Sequence, residues 1–167
     1  IVQPGGVYGP GDTSPMGVML DQFLSGKMPL IPFPELGICL THVEDIAGGI
    51  ILGLDKGRPG EAYIISGPVT TVREAIGVVA SETGKKAPKH ALPTVLMKLM
   101  IPIGPLVGKV MGQQPNLREL IASADGVTFW ANHEKATREL GYEPRGLQDG
   151  LHAMLEADGK LPKSAAA

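Results

Sequence analysis

Among the residues that could carry chemistry, a thiol and an imidazole come first, Cys39 and His42 in Ile38-Cys39-Leu40-Thr41-His42-Val43. Such a pair could form an activated nucleophile. Three positions apart on a strand, however, the two side chains point to opposite faces, and the pair fails on geometry. His42 reads instead as a hydrogen-bonded histidine at a strand–helix junction. His152 and Glu156 fall at i and i+4 of a helical pattern. They offer two metal ligands without a third, so no metal is assigned. Arg73, on a helix that follows a strand, is placed as a candidate for a substrate carboxylate or phosphate, with a solvated first-turn arginine as the plainer reading. No catalytic residue is assigned.

The densest signal is the opening stretch Ile1-Val2-Gln3-Pro4-Gly5-Gly6-Val7-Tyr8-Gly9-Pro10-Gly11-Asp12. Four glycines and two prolines in nine positions are costly, because glycine gives up the most backbone freedom on folding. That density fits a backbone that bends sharply and passes close to another body, so the segment reads as the lip of a site. Gly6-x-x-Gly9-x-Gly11 has the outline of a phosphate loop. Pro10 removes an amide donor and no helix starts at Gly11, which argues against a pyrophosphate cradle.

The elements that must position these residues follow from periodicity and punctuation. Ser14-Pro15 predicts a helix start, with Met16, Met19, Leu20, Phe23 and Leu24 on one apolar face and Gly26 at the end. The proline-rich residues 28–37 predict an extended loop, and Ile38–Val43 a short strand. Glu44 or Asp45 is expected to cap the next helix, with Ile46, Ala47, Ile50, Ile51 and Leu54 as its buried face. Ala62–Ser66 is a near-continuous apolar run, the mark of a buried strand. Thr71-Val72-Arg73-Glu74 is a capping box for a helix burying Val72, Ala75, Ile76, Val79 and Ala80 and stopping at Gly84. Beyond it the pattern is helical: short pieces in 91–112, a helix after Asn116 facing Leu117, Leu120 and Ile121 inward, one over 133–140, and one carrying Leu147, Leu151, Met154 and Leu155. The end from Gly159 has no pattern and is expected to fray.

Length and composition bound the function. A chain of 167 residues with 43% hydrophobic and 19% charged residues has enough apolar material for one folded domain. A net charge of −2 gives no electrostatic case for nucleic acid or for an anionic membrane. One cysteine forbids an internal disulfide and points to a reducing, cytoplasmic location. Gly104, Gly108 and Gly112 repeat the Gly-x-x-x-Gly spacing of close helix contact, but Lys98, Lys109 and the prolines leave no segment long enough to span a bilayer. The stretch reads as core, as a substrate lid or as a surface-associated helical pair.

Four ordered blocks resemble a family. Gln3–Asp12 resembles the Arg-Pro-x-x-x-Tyr-Gly-Pro-Gly-Asp segment of extended short-chain dehydrogenases, and Thr41–Ala47 their His-Val-x-Asp-Val-Ala block. Gly60–Gly67 resembles the Gly-x-x-Tyr-x-x-x-Gly strand, and Lys135–Pro144 the Lys-Ala-x-x-x-Leu-Gly-Tyr-x-Pro segment. The sequence is most similar to the NAD-dependent epimerase/dehydratase group and to dihydroflavonol reductase or 3β-hydroxysteroid dehydrogenase-like members. Two family signatures do not occur in the chain: the Gly-x-x-Gly-x-x-Gly turn, and Tyr-x-x-x-Lys. Tyr8, Tyr63 and Tyr142 are followed four residues later by Asp12, Gly67 and Gly146.

The resemblance implies an α/β fold, the C-terminal part of a Rossmann-like parallel sheet with a mostly helical substrate-binding lobe. Residues 1–84 would be late sheet strands and helices, 85–158 the lobe and 159–167 a frayed tail. Pro4, Gly5, Gly6 and Val7 would offer main-chain contacts to the nicotinamide of NAD or NADP. Tyr8, Met16, Met19 and Arg73 would border a small-molecule substrate. The expected parent is an oxidoreductase or sugar-nucleotide epimerase/dehydratase acting on a carbonyl or secondary alcohol, and the chain alone is expected to be inactive. The alternative is a non-catalytic binding or assembly module on the same scaffold. Either way, the abrupt start at Ile1 predicts an open strand edge, covered by a missing N-terminal half or by a second copy.

Overall fold

The computed structural model of the chain describes residues 1–101 and 117–162. Its elements run β1 (Val2–Pro4), β2 (Gly6–Tyr8), α1 (Pro15–Leu24), β3 (Gly37–His42), α2 (Val43–Lys56), β4 (Tyr63–Ile65) and β5 (Val69–Thr71). Helices follow: α3 (Val72–Thr83), α4 (Thr94–Met100), α5 (Leu117–Ala124), α6 (Glu134–Leu140) and α7 (Leu147–Ala157). This is an α/β architecture with parallel strands.

β1 and β2 are one strand broken at Gly5, and each half takes a different partner. β1 pairs parallel with β4, Val2 opposite Tyr63 and Pro4 opposite Ile65. β2 pairs parallel with β3, Gly6 opposite Leu40 and Tyr8 opposite His42. β5 runs antiparallel to β3, Gly37 opposite Thr71 and Cys39 opposite Val69. Among the described residues β1 pairs only with β4 and β2 only with β3, so Val2–Tyr8 keeps an unpaired edge. The sequence reading did not foresee β5, whose three residues form a strand only because β3 lies beside them.

Local chemistry explains the helix starts. Ser14 Oγ accepts from Gly17 N at 3.3 Å, and Asp12 in turn takes the Ser14 amide at 2.7 Å and its hydroxyl at 2.9 Å. Thr71 and Glu74 form the expected capping box, the Glu74 amide donating to Thr71 Oγ1 and the Thr71 amide to Glu74 Oε2. Gly84 and Gly141 close α3 and α6 in the left-handed conformation, at φ 67° and 74°, which glycine adopts without strain. Asn132 Oδ1 accepts from Glu134 N at 2.7 Å at the start of α6.

α2 departs from expectation twice. Its cap is His42, whose Nδ1 accepts the Glu44 amide at 3.3 Å, rather than Glu44 or Asp45. Its inner face keeps Ile46 of the expected series but adds Gly49, Gly53 and half-buried Leu52 in place of Ala47, Ile50, Ile51 and Leu54. A Cβ on Gly49 would run into the Ile65 side chain, and one on Gly53 would stand 2.8 Å from Val2 Cγ2. Small residues let the helix lie close on β1 and β4. Ala47, Ile50, Ile51 and Leu54 consequently face outward, Ile50, Ile51 and Leu54 at 49%, 58% and 84% exposure. Val43 continues the same stripe.

Two clusters form the core. The larger joins Tyr8 and Leu40 to Leu20 and Phe23 of α1, Val72, Ile76 and Val79 of α3, and Leu151, Met154 and Leu155 of α7. The smaller joins Ile46, Tyr63 and Ile65 to Ala136, Leu140 and Tyr142. Ile121 of α5 is buried as expected. At the end of the chain, Lys160 bonds Asp21 at 2.8 Å and Asp158 at 2.7 Å, and Leu161 packs on the larger cluster. The glycine repeat at 104, 108 and 112, the cap expected at Asn116, the side chains of Leu117 and Leu120 and residues 163–167 of the tail expected to fray lie outside the described residues.

Candidate cofactor-contact site

The break at Gly5 organises the site. Its amide donates to Ile65 O at 2.9 Å, the last bond to β4 before the chain passes to β3. A Cβ here would meet Cys39 O and Thr41 Oγ1 at 2.9 Å and Ser66 Cβ at 3.1 Å. The missing side chain of Gly5 therefore serves strand against strand, and a ligand has no claim on that space. Gly6 is less confined, its nearest neighbour being Cys39 O at 3.4 Å. Pro4, Gly6 and Val7 are exposed, and they line the unpaired strand edge.

A polar layer fixes this crook from behind. Thr41 Oγ1 accepts from Gly67 N at 2.7 Å and donates to Cys39 O at 3.4 Å. Ser66 Oγ and His133 Nδ1 share a hydrogen bond at 3.3 Å. Cys39 holds the segment before α6 in both directions: Ala131 N donates to Sγ at 3.1 Å and Sγ donates to Ala131 O at 3.6 Å. The sequence reading missed Thr41, Ser66 and His133. For Thr41 and Ser66 the one signal is a hydroxyl within an apolar run, where a buried polar group needs a partner; His133 gives none.

A second polar cluster sits at the end of β2. Tyr8 and His42 meet edge to face, ring centroids 5.6 Å apart, and His133 and Tyr142 do the same at 5.9 Å. Burial, then the charge of Asp45, pushes the Tyr8 hydroxyl well above its usual pKa. Tyr142 is raised by the same two causes. Burial and then Arg145 lower His42, which keeps the imidazole neutral. Tyr142 Oη and His42 Nε2 are buried without a hydrogen-bond partner among the described residues. An open cleft of about 310 Å³ lies beside Pro68, His133, Tyr142 and Arg145. The tyrosines are held protonated and Ser66 is fully buried, so the arrangement can position a ligand but offers no poised acid–base pair.

The other expected site residues do not converge on the crook. Tyr8 is 2% exposed, with its hydroxyl pressed against Gly150 of α7, so it cannot border a substrate through a free ring face. Met16 and Met19 are half-buried on the larger core cluster. Arg73 gives Nε and Nη2 to Glu35 Oε1, both at 3.1 Å, on the exposed side of the 28–37 loop. His152 is paired with Glu82 rather than with Glu156, its Nδ1 2.6 Å from Glu82 Oε2.

No protein-family model matches the chain. A putative dihydroflavonol 4-reductase from Synechocystis sp. is 25% identical over 157 residues, covering 90% of this chain and 45% of that protein. The crystal structure of gox2253 superposes with a TM-score of 0.72 at 28% identity, covering 97% of this chain and 50% of that one. The relatives and structural neighbours are short-chain dehydrogenase/reductases of the NAD-dependent epimerase/dehydratase kind. UDP-glucuronic acid 4-epimerase from Bacillus cereus, solved with UDP-glucuronic acid and NAD, shares the fold at a TM-score of 0.66, 21% identity and coverage of 96% and 45%. The chain spans about half the length of the curated short-chain dehydrogenase/reductase relatives it matches.

Proposed function

We propose that this chain is the C-terminal, substrate-binding portion of an NAD(P)-dependent short-chain dehydrogenase/reductase or sugar-nucleotide epimerase/dehydratase. The parent would move a hydride between nicotinamide and a carbonyl or secondary alcohol. The observation that carries the reading is the unpaired edge of Val2–Tyr8, a parallel strand open beside an α2 whose outer face is apolar. A helix apolar on two sides is built to sit between layers. Further strands and a helix on that side would extend the sheet over Pro4–Val7 and cover Val43, Ala47, Ile50 and Leu54 together.

In that assembly the main chain of Pro4, Gly5, Gly6 and Val7 would flank the nicotinamide ring. The cofactor supplies the hydride chemistry; this chain supplies a flat backbone wall and the Thr41–Ser66–His133 layer that keeps it in place. The pyrophosphate turn and the tyrosine–lysine pair would come from the partner half, since the chain's sequence contains neither.

Nucleotide binding tests this directly. The isolated chain should leave NADH fluorescence unchanged, whereas the longer protein encoded with its upstream reading frame should enhance it and oxidise or reduce a carbonyl–alcohol pair. Tight NADH binding by the isolated chain, or an upstream frame lacking the glycine turn and Tyr-x-x-x-Lys, would overturn the proposal.

A further inference from the structure

Residues 84–101 contain four lysines, His90 and no aspartate or glutamate, within a chain of net charge −2. Lys85, Lys86 and Lys89 are exposed and make no ion pair among the described residues. Lys98 only approaches Asp125, at 3.9 Å. The loop carrying these cations is pinned to the fold: Ile31 N donates to His90 O at 3.0 Å, and Leu92 N to Ile31 O at 2.8 Å. α4 starts immediately afterwards and is anchored by buried Met97 and by Thr94 Oγ1, which donates to Asp125 Oδ1 at 3.0 Å. That anchorage turns Val95 and Leu99 outward at 71% and 70% exposure, with Leu96 beside them.

Single exposed apolar residues are ordinary, but three on one short helix that follows within a few residues of unpaired cations make a segment with a defined chemistry. Nucleic acid or an acidic protein would use the lysines and leave the apolar face in water. An anionic lipid surface uses both, the aliphatic side chains entering the headgroup boundary and the ammonium groups meeting phosphates. No helix among the described residues is long and apolar enough to cross a membrane, so contact would be from one side.

We propose that residues 84–101 form a docking surface for an anionic lipid bilayer, with Val95, Leu96 and Leu99 inserting and Lys85, Lys86 and Lys89 binding headgroups. The attraction is reversible: each lysine near such a surface is worth about a fivefold change in affinity, so removing three costs on the order of 100-fold. The inference is independent of the proposed cofactor chemistry.

Flotation of the full-length protein carrying this chain tests it, using phosphatidylcholine vesicles with and without phosphatidylglycerol. Binding should require phosphatidylglycerol and weaken with salt. It should fall by more than about 100-fold in Lys85→Glu/Lys86→Glu/Lys89→Glu, which removes three attractions and adds three repulsions, and about tenfold or more in Leu99→Asp. Circular dichroism should show both variants folded. No flotation, flotation unchanged by the triple reversal, or equal binding to neutral vesicles would overturn the proposal.

Discussion

Arg145 and Asp45, one hundred residues apart, are joined twice: the Arg145 amide donates to Asp45 Oδ2 at 3.1 Å and its Nε to Oδ1 at 2.9 Å. A third bond, Arg145 Nη2 to Glu44 Oε2 at 3.0 Å, completes a clamp from the loop before α7 onto the first turn of α2. Asp45 is largely buried, so the pair is worth more than an exposed one. Arg145→Ala should lower unfolding free energy by about 2 kcal/mol, measured by urea denaturation. An unchanged midpoint would mean the clamp is ornamental.

Tyr8 and Gly150 make a second long-range contact. A Cβ at position 150 would collide with the phenolic oxygen, so Gly150→Ala must push α7 away from β2. The expected loss is about 1–3 kcal/mol. Tyr8→Phe should recover part of it in the double variant, because it removes the colliding atom. Additive losses in a double-mutant cycle would contradict the contact.

The two broken-strand glycines should differ. Gly5→Ala places a methyl 2.9 Å from a carbonyl and from Thr41, and should lower Tm by several degrees, about 1–3 kcal/mol. Gly6→Ala meets its nearest atom at 3.4 Å and should be nearly neutral in the same melt. Equal effects would show that the crook is looser than its geometry indicates.

Acid stability should carry the mark of His42. Its folded pKa lies below the ordinary 6.5, so the unfolded chain binds the proton more readily. The neutral imidazole's contribution is complete above pH 6.5 and declines as pH falls from there toward the folded value. His152 runs the other way: Glu82 raises its pKa, so its contribution is present below pH 6.5 and fades as pH rises through the folded value. His42→Asn, which keeps an acceptor for the Glu44 amide, should flatten the acid limb of a stability–pH curve. A His152→Gln variant should leave that limb falling.

Much of the fold was legible because caps are local chemistry. Ser14-Pro15, the Thr71–Glu74 box and the glycine stops at 84 and 141 needed only their own neighbours. α2 was not, since periodicity says which residues share a face and not which of two apolar faces turns inward. Gly49 and Gly53 decided that, and a hydropathy pattern gives glycine no weight. β5 and the Arg73–Glu35 pair depend on residues distant in sequence, which no spacing rule reaches; the His42 cap is local, two residues from Glu44, but histidine is not among the usual capping residues. At the site, the Pro4–Val7 stretch was visible from its glycines, whereas Ser66 and His133, 67 positions apart, meet only once the chain between them is folded.

The outward stripe of α2 also has a meaning for quality control in the cell. Val43, Ala47, Ile50 and Leu54 form a ladder of aliphatic rungs one helical turn apart. In the proposed assembly, a copy lacking the covering layer would display that ladder to chaperones and proteases although its core clusters are formed. Such a copy would differ from the finished protein by one helix face.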